Sequence, residues 1–239
     1  IDIDSNHVHS FAWKSIPITD EHCPRDTALE AILNPYKQEA EKKYSRVVTR
    51  LKRQLTHPSW YQETELGGFL ADILQESLRL DMMLVGSGSI RVTELGPIIL
   101  FSNLTECLPY DDSAIALWVT GAQLKKMILY MLRDEVWDGS HCEFFQFSEG
   151  VRVIYDKQSH ILKEFSLYGE PIDDTKIYKI GLQYYFYLNM KDFFSVSYEE
   201  VEPNGKPRRV ATSCREVLDE YLSCHQGIDH RSSGRLKII

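Results

Sequence analysis

The 239-residue chain contains no apolar run approaching the roughly 18–20 residues that cross a bilayer, so no transmembrane helix is expected. Its opening residues, Ile1 to Asp4, lack the basic-then-apolar pattern of a secretory leader. A leader on any longer parent would precede Ile1. Cysteine is sparse: Cys23, Cys107, Cys142, Cys214 and Cys224, an odd number with no C-x-x-C spacing. That argues against a zinc ribbon, a dithiol redox centre or a disulfide framework. There is no G-x-S-x-G elbow, which excludes the usual serine hydrolase, and no phosphate-cradling G-x-x-x-x-G-K-[ST] loop. Basic side chains are outnumbered, 27 against 35 acidic, for a net charge of −8. Affinity for nucleic-acid backbone comes from Lys and Arg displacing counterions, so no DNA or RNA partner is expected. The one basic run, Lys37 to Arg53, is broken by Glu39 and Glu41 and reads as a solvated helix face.

What is present is the balance of a folded globular chain, 43% hydrophobic and 26% charged. Phe11, Trp13, Ile16 and Ile18 fall near alternate positions and predict a strand in an extended lead-in. Asp26 is placed to cap a helix that Pro35 interrupts before it resumes to about Ser45. Residues 46–55 alternate loosely and predict a strand. Gly67-Gly68 opens a helix from about Phe69 to Leu78, with Leu70, Ile73, Leu74 and Leu78 on its buried face. Buried strands are expected at Met82 to Val85, Ile98 to Phe101 and Ile115 to Val119. Thr120 caps a helix from Ala122 to about Leu132. Beyond Glu143 the pattern turns strand-rich: Val151, Val153 and Tyr155 alternate, Gly169-Glu170-Pro171 marks a turn, and Ile177 to Phe186 reads as a core strand. A helix over about Ser213 to Ser223 and a strand over Leu236 to Ile239 close the chain. Together these predict an α/β (α+β) domain with mixed sheets covered by helices.

Chemistry-bearing patterns are few. His7-Val8-His9 offers two imidazoles, as dinuclear phosphoesterases do, but two metals also need bridging carboxylates. The other histidines, His22, His57, His141, His160, His225 and His230, are scattered, and none sits in a D-x-H or N-H-E signature. Two surface histidines on a strand is the plainer reading, and no metal ligand is assigned. Asn103-Leu104-Thr105 fits a glycosylation sequon, a short and common pattern. Gly86-Ser87-Gly88-Ser89-Ile90-Arg91 follows a buried strand. Small residues let backbone N–H groups approach a ligand, and Arg91 adds a fork of donors suited to phosphate or carboxylate. A tight turn with an ion-paired arginine accounts for the same residues.

Several motifs then align in order with one family. Glu63-Thr-Glu-Leu-Gly-Gly-Phe-Leu-Ala-Asp72 resembles the E-x-x-L-G-N-L-x-x-D motif of the 5′-nucleotidase C-terminal domain. Gly86 to Arg91 resembles its N-G-G-G-I-R loop, Leu108-Pro109-Tyr110 its L-P-F, and Val119-Thr120-Gly121-Ala-Gln-Leu-Lys125 its L-T-G-x-x-L-K. Gly169-Glu-Pro-Ile-Asp-Asp174 is similar to G-x-P-L-D, Phe186 to Phe194 falls where the family has an aromatic followed by G-G-D-G-F, and Gly234-Arg235 resembles the terminal G-R-I. Trp13 to Ile18 with Pro24-Arg25-Asp26 looks like the connector that leaves that family's metallophosphatase domain.

The resemblance implies residues 1–45 as a connector and 46–239 as a substrate-binding domain. It implies a fragment inactive by itself, with no cofactor of its own. Two divalent metals of the zinc or manganese type belong on a separate N-terminal metallophosphatase domain. By position, Tyr110 and Phe186 correspond to two rings that sandwich a base, Arg91 to the loop arginine and Asp192 to the ribose-binding carboxylate, with Gly86, Ser87 and Gly88 supplying loop backbone. Each has a plainer reading: core aromatics, a structural ion pair, a turn residue. The departures are Gly86 in place of an asparagine, Met190-Lys191 in place of two glycines, and Trp60 near the position of a further arginine. They open a second expectation, a non-catalytic interaction or dimerisation module with a degenerate pocket, and a homodimer is among its forms. A free-standing enzyme built on His7 and His9 ranks last. Many members of the family are exported, whereas the unpaired cysteines lean towards a cytoplasmic setting.

Overall fold

The computed structural model describes residues 2–4, 7–138, 142–232 and 234–239. The chain forms two compact units, Ile1–Lys43 and Tyr44–Ile239.

In the first unit, β1 (Asp2–Asp4) pairs antiparallel with β2 (His7–Ser10), and α1 runs over Thr27–Tyr44. Asp26 caps α1: its carboxylate accepts the amides of Ala28 (3.1 Å) and Leu29 (3.0 Å). Pro35 does not interrupt the helix, contrary to expectation. A proline removes one helical hydrogen bond, and the turns on either side continue here across that gap. The strand expected over Phe11 to Ile18 is also absent; the segment is irregular, with Phe11, Trp13, Ile16 and Ile18 all more than half exposed. Alternation makes a strand only where a partner ladder takes up its amides, and the described residues offer none there.

The second unit holds the following elements. Its first part contains β3 (Val47–Arg50), β4 (Leu55–Thr56), α2 (Glu65–Leu78), β5 (Met82–Gly86), β6 (Glu94–Leu95), β7 (Ile98–Leu100) and α3 (Phe101–Cys107). Next come β8 (Ala114–Thr120), α4 (Gly121–Met131), β9 (Phe145–Phe147), β10 (Val151–Asp156), β11 (Ile161–Leu167), β12 (Glu170–Pro171) and β13 (Ile177–Gln183). The last part contains α5 (Tyr184–Leu188), α6 (Met190–Phe194), α7 (Tyr198–Val201), β14 (Arg208–Ala211), α8 (Cys214–Cys224) and β15 (Leu236–Ile238). A five-stranded mixed sheet of order β14-β8-β13-β5-β9 is its centre, and a four-stranded sheet β12-β11-β10-β15 packs nearby. The expected mixed α/β class is the observed one.

Strand side chains alternate between sheet faces, and both faces of the central sheet are covered. Met82, Leu84, Ile115, Leu117 and Val119 face α4, β10 and β11. Met83, Val85, Ala114 and Ala116 face α2 and α8. That double burial is why β5 reads as an unbroken apolar run. The expected core strand reaching Phe186 stops at Gln183, and Phe186 lies in α5 instead. The amide of Tyr184 donates to Ser113 O (2.8 Å) and that of Tyr185 to the Asp112 carboxylate (2.7 Å), which turns the chain off the ladder.

The longest motif is a latch. Its helix starts at Glu65, before the two glycines, with the Thr64 hydroxyl accepting the amide of Gly67 (3.0 Å). Two glycines inside a helix cost about 1 kcal/mol each relative to alanine. Close approach explains them: a Cβ at Gly67 would lie 2.4 Å from Gln146 Cγ, and one at Gly68 2.2 Å from Ser232 Oγ. Over that bare helix turn Arg235, only 8% exposed, makes two hydrogen bonds to Asp72 (2.6 and 2.7 Å) and one to Phe147 O (2.6 Å). Glu63 completes the latch by accepting the amide of Arg235 (3.0 Å). Removing one partner of a buried pair strands the other charge, so Arg235→Ala is expected to cost about 3–5 kcal/mol of stability. Urea unfolding of both proteins at neutral pH measures it; a cost below about 1 kcal/mol would mean that the pair behaves like an exposed one.

Candidate functional site

Strand direction gathers the candidate residues. β5 and β13 run parallel, Met82 beside Ile180 and Leu84 beside Leu182, so Gly86 and Gln183 end at the same sheet edge. β8 is antiparallel to β13 and begins there, Ala114 opposite Gln183, which brings Tyr110 to Asp112 to that edge. β9 is antiparallel to β5, Phe145 opposite Gly86, which brings Glu143. The carboxyl ends of parallel strands are where ligands bind in open α/β sheets.

A cleft of about 620 Å³ opens at this edge, lined by Trp60, Gly88, Arg91, Tyr110, Glu143, Tyr185 and Phe186 among others. That volume accommodates a nucleoside-sized ligand. A second depression, about 560 Å³ along α4, is open, and its Lys125 and Lys126 are already paired with Asp174 (2.7 Å) and Glu200 (3.0 Å).

Arg91, Tyr110, Phe186 and Gly88 thus meet in one cleft. The Arg91 guanidinium lies near two rings, 5.4 Å from the centroid of Trp60 and 5.8 Å from that of Tyr110. One nitrogen donates to Gly88 O (3.2 Å); the rest of the fork has no protein partner among the described residues. Tyr110 is 69% exposed and presents its ring to solvent. Phe186 is 3% exposed, packed edge-on against Phe145 and Phe193, both with centroids at 4.9 Å. It forms the back wall, and the exposed ring beside it is Tyr185, at 57%. Asp192 does not join them: it is exposed on α6 and absent from the cleft lining.

The loop amides are not free. Gly86 N–H donates to Gln183 Oε1 (3.0 Å), Ser87 N–H to Phe144 O (2.8 Å) and Gly88 N–H to Glu143 Oε1 (2.6 Å). Beneath the loop, buried His57 bridges Thr64 Oγ1 (2.8 Å) and Ser87 O (3.2 Å). A carbonyl can only accept, so Nε2 carries the proton and Nδ1 accepts from the hydroxyl. Burial lowers the pKa of His57, against a smaller opposing effect of the Ser87 carbonyl. Gly86 is bare because Phe186 needs the room: a Cβ there would lie 2.2 Å from Phe186 Cζ.

Glu143 carries no motif, and its only signal in the sequence is a lone charge at the entrance to an apolar strand. Desolvation pushes its carboxyl up to about 7, partly opposed by the Gly88 N–H and by Arg91. Gln183 and Asp112 are likewise polar residues beside β-strands that only the fold assigns to the cleft. Tyr185 lies within the apolar run ending at Phe186.

No group of three or more His, Cys, Asp or Glu is arranged to hold a metal among the described residues. His7 and His9 are exposed on β2, and His141 lies outside the described residues. The described residues do not fit a two-metal centre. Burial pushes the thiols of Cys107 and Cys214 up to about 12, so neither is a thiolate nucleophile near neutral pH. No helix among the described residues is long and apolar enough to cross a membrane.

Glu143 gives a pH signature. Its folded pKa lies above the unfolded value, so between about 4.5 and 7 the folded state binds more protons, and stability falls as pH rises. His57, shifted down, works in the opposite direction below its usual value. Subtracting variant from wild type isolates the glutamate: the stability of Glu143→Gln relative to wild type is expected to increase from pH 5 to pH 8. Denaturant midpoints across that range provide the check, and a constant difference would show that the carboxyl titrates normally.

A family model described as the C-terminal domain of 5′-nucleotidase matches residues 44–197. An uncharacterised metallophosphoesterase of Bacillus subtilis (strain 168), YunD, is 31% identical over 111 residues, which is 45% of this chain and 23% of that protein. Among solved structures, the 5′-nucleotidase precursor of Thermus thermophilus superposes with a TM-score of 0.71 at 20% identity, over 92% of this chain and 44% of its own. NAD nucleotidase of Haemophilus influenzae gives 0.69 at 16% identity, over 89% and 41%. The chain therefore spans less than half the length of each, and at such identities the likeness is one of fold.

Proposed function

The chain belongs to the family of 5′-nucleotidase C-terminal domains, and on that premise we propose that it is the nucleoside- or nucleotide-binding half of a metallophosphoesterase. Its task is to present the ligand to a metal centre carried by an N-terminal metallophosphatase domain, with residues 1–45 as the connector and two divalent metals of the zinc or manganese type on that other domain. Its relatives' nucleotidase names and the shared fold support the reading. The observation that carries it is the convergence of Arg91, Tyr110 and Phe186 at one sheet edge, from three separate segments of chain.

Within this reading, Tyr110 provides an open face for a base, with Tyr185 as a second exposed ring beside the Phe186 wall. Stacking contributes about 1–3 kcal/mol per base and tolerates any base, since each has a π-face. Arg91 supplies the unpaired part of its fork to phosphate oxygens. A second reading, a non-catalytic interaction or dimerisation module with a degenerate pocket, draws support from the loop. The amides of Gly86, Ser87 and Gly88 all donate within the protein, and Glu143 lies where a bound anion would need Gly88.

Titration of the 239-residue chain with adenosine, AMP and UDP-glucose separates the two. A ligand that binds the folded state only raises Tm by mass action, by about 2.7 kcal/mol of stability at a hundredfold excess over Kd. Tyr110→Ala is expected to abolish the shift and leave the unliganded Tm within a degree or two, because the ring is exposed. Phe186→Ala is expected to destabilise the fold by about 3–5 kcal/mol as a buried aromatic. No shift with any of the three ligands at millimolar concentration would favour the second reading.

A further inference from the structure

We propose that Glu143, rather than Asp192, is the carboxylate that recognises the sugar of the ligand in this cleft, accepting a hydrogen bond from its vicinal hydroxyls. The inference rests on the nucleoside reading above and deepens it. Among the described residues two carboxylates line the cleft, Asp112 and Glu143. Asp112 is fully engaged: one oxygen accepts the amide of Ser113 (2.9 Å), the other that of Tyr185 (2.7 Å). Asp192 is exposed and outside the lining. Glu143 alone combines position with a spare oxygen. Its Oε1 is pinned by the Gly88 N–H at 2.6 Å, which fixes the group over the glycine loop. No donor reaches Oε2 among the described residues.

The glycines make room for it. A Cβ at Gly88 would lie 2.9 Å from Glu143 Oε2, and one at Gly86 3.2 Å from Oε1. The carboxylate thus occupies the space over Gly88 that a side chain there would enter, beside the Phe186 ring that fills the space over Gly86. Arg91, which also lines the cleft, lowers the cost of its charge. Ionised, as at pH 8, an acceptor-only group in this place favours a hydroxyl-rich ligand portion and repels a phosphate laid directly against the loop. The sugar is therefore assigned to the Glu143 side of the cleft and any phosphate to the free donors of Arg91.

The test is calorimetric titration of the 239-residue chain with adenosine, 2′,3′-dideoxyadenosine and adenine at pH 8. Wild type is expected to bind adenosine at least about tenfold more tightly than the dideoxy analogue, the loss typical of a hydrogen bond to a charged group. Glu143→Gln should erase that preference and leave adenine affinity unchanged; Asp192→Asn should change nothing. The glutamine variant relieves a desolvated carboxyl, so weaker binding would not reflect unfolding, and its Tm provides the check. Adenosine binding that survives Glu143→Gln but is lost in Asp192→Asn would overturn the inference and leave the nucleoside reading standing. Absence of binding by all three compounds to wild type would overturn that reading and this inference with it.

Discussion

Parallel pairing of β5 with β13 is the constraint from which the cleft follows. Two parallel strands must end at the same edge, and their antiparallel neighbours β8 and β9 must begin there. Four chain segments far apart in sequence are thereby delivered to one place: the glycine loop after β5, the Tyr184–Leu188 helix after β13, the Tyr110–Asp112 turn before β8 and Glu143 before β9. Side chains at that edge need no further device to meet. Their precision comes from the two apolar layers that fix the sheet from both sides.

The ordered motifs sort into two kinds once the contacts are known. Glu63, Gly68 and Asp72 meet Ser232 and Arg235, so the first and last motifs are two halves of one latch. Thr120 caps α4 through a mutual exchange with Gln123 (3.2 and 2.9 Å), and Lys125 reaches Asp174. A Cβ at Gly121 would lie 2.0 Å from Asp173 O, so those two motifs also form one joint. Only the loop at Gly86–Arg91, the turn at Tyr110 and the aromatic segment around Phe186 face the cleft. Much of the family resemblance is therefore a record of how the domain is closed, and less of it records what the domain holds.

That division explains what could be read from the sequence. Elements with one strong local signal were legible: α2 and α4 by their apolar spacing and caps, β5 by its doubly buried run. The end of β13 was not, because the turn at Tyr184 is set by Ser113 and Asp112, about seventy residues earlier. Pro35 misleads because the bond it removes is one among many along α1. In the cleft, Arg91, Tyr110 and Phe186 were named by motif position. Glu143 was silent, since a half-buried carboxylate announces itself only through the amide that holds it. Asp192 carries the opposite lesson: its motif position is kept, but Met190 is 3% exposed and faces the core, while the aspartate sits on the outside of a short helix.

Gly86 and Phe186 together set how the floor of the cleft answers to substitution. The ring tip fills the space above the glycine so closely that any side chain at 86 meets it 2.2 Å from its Cβ. A larger residue at 86 therefore overpacks this wall unless the ring swings away, and a ring that swings away reshapes the back of the cleft. One change at the floor is felt as a change of the wall.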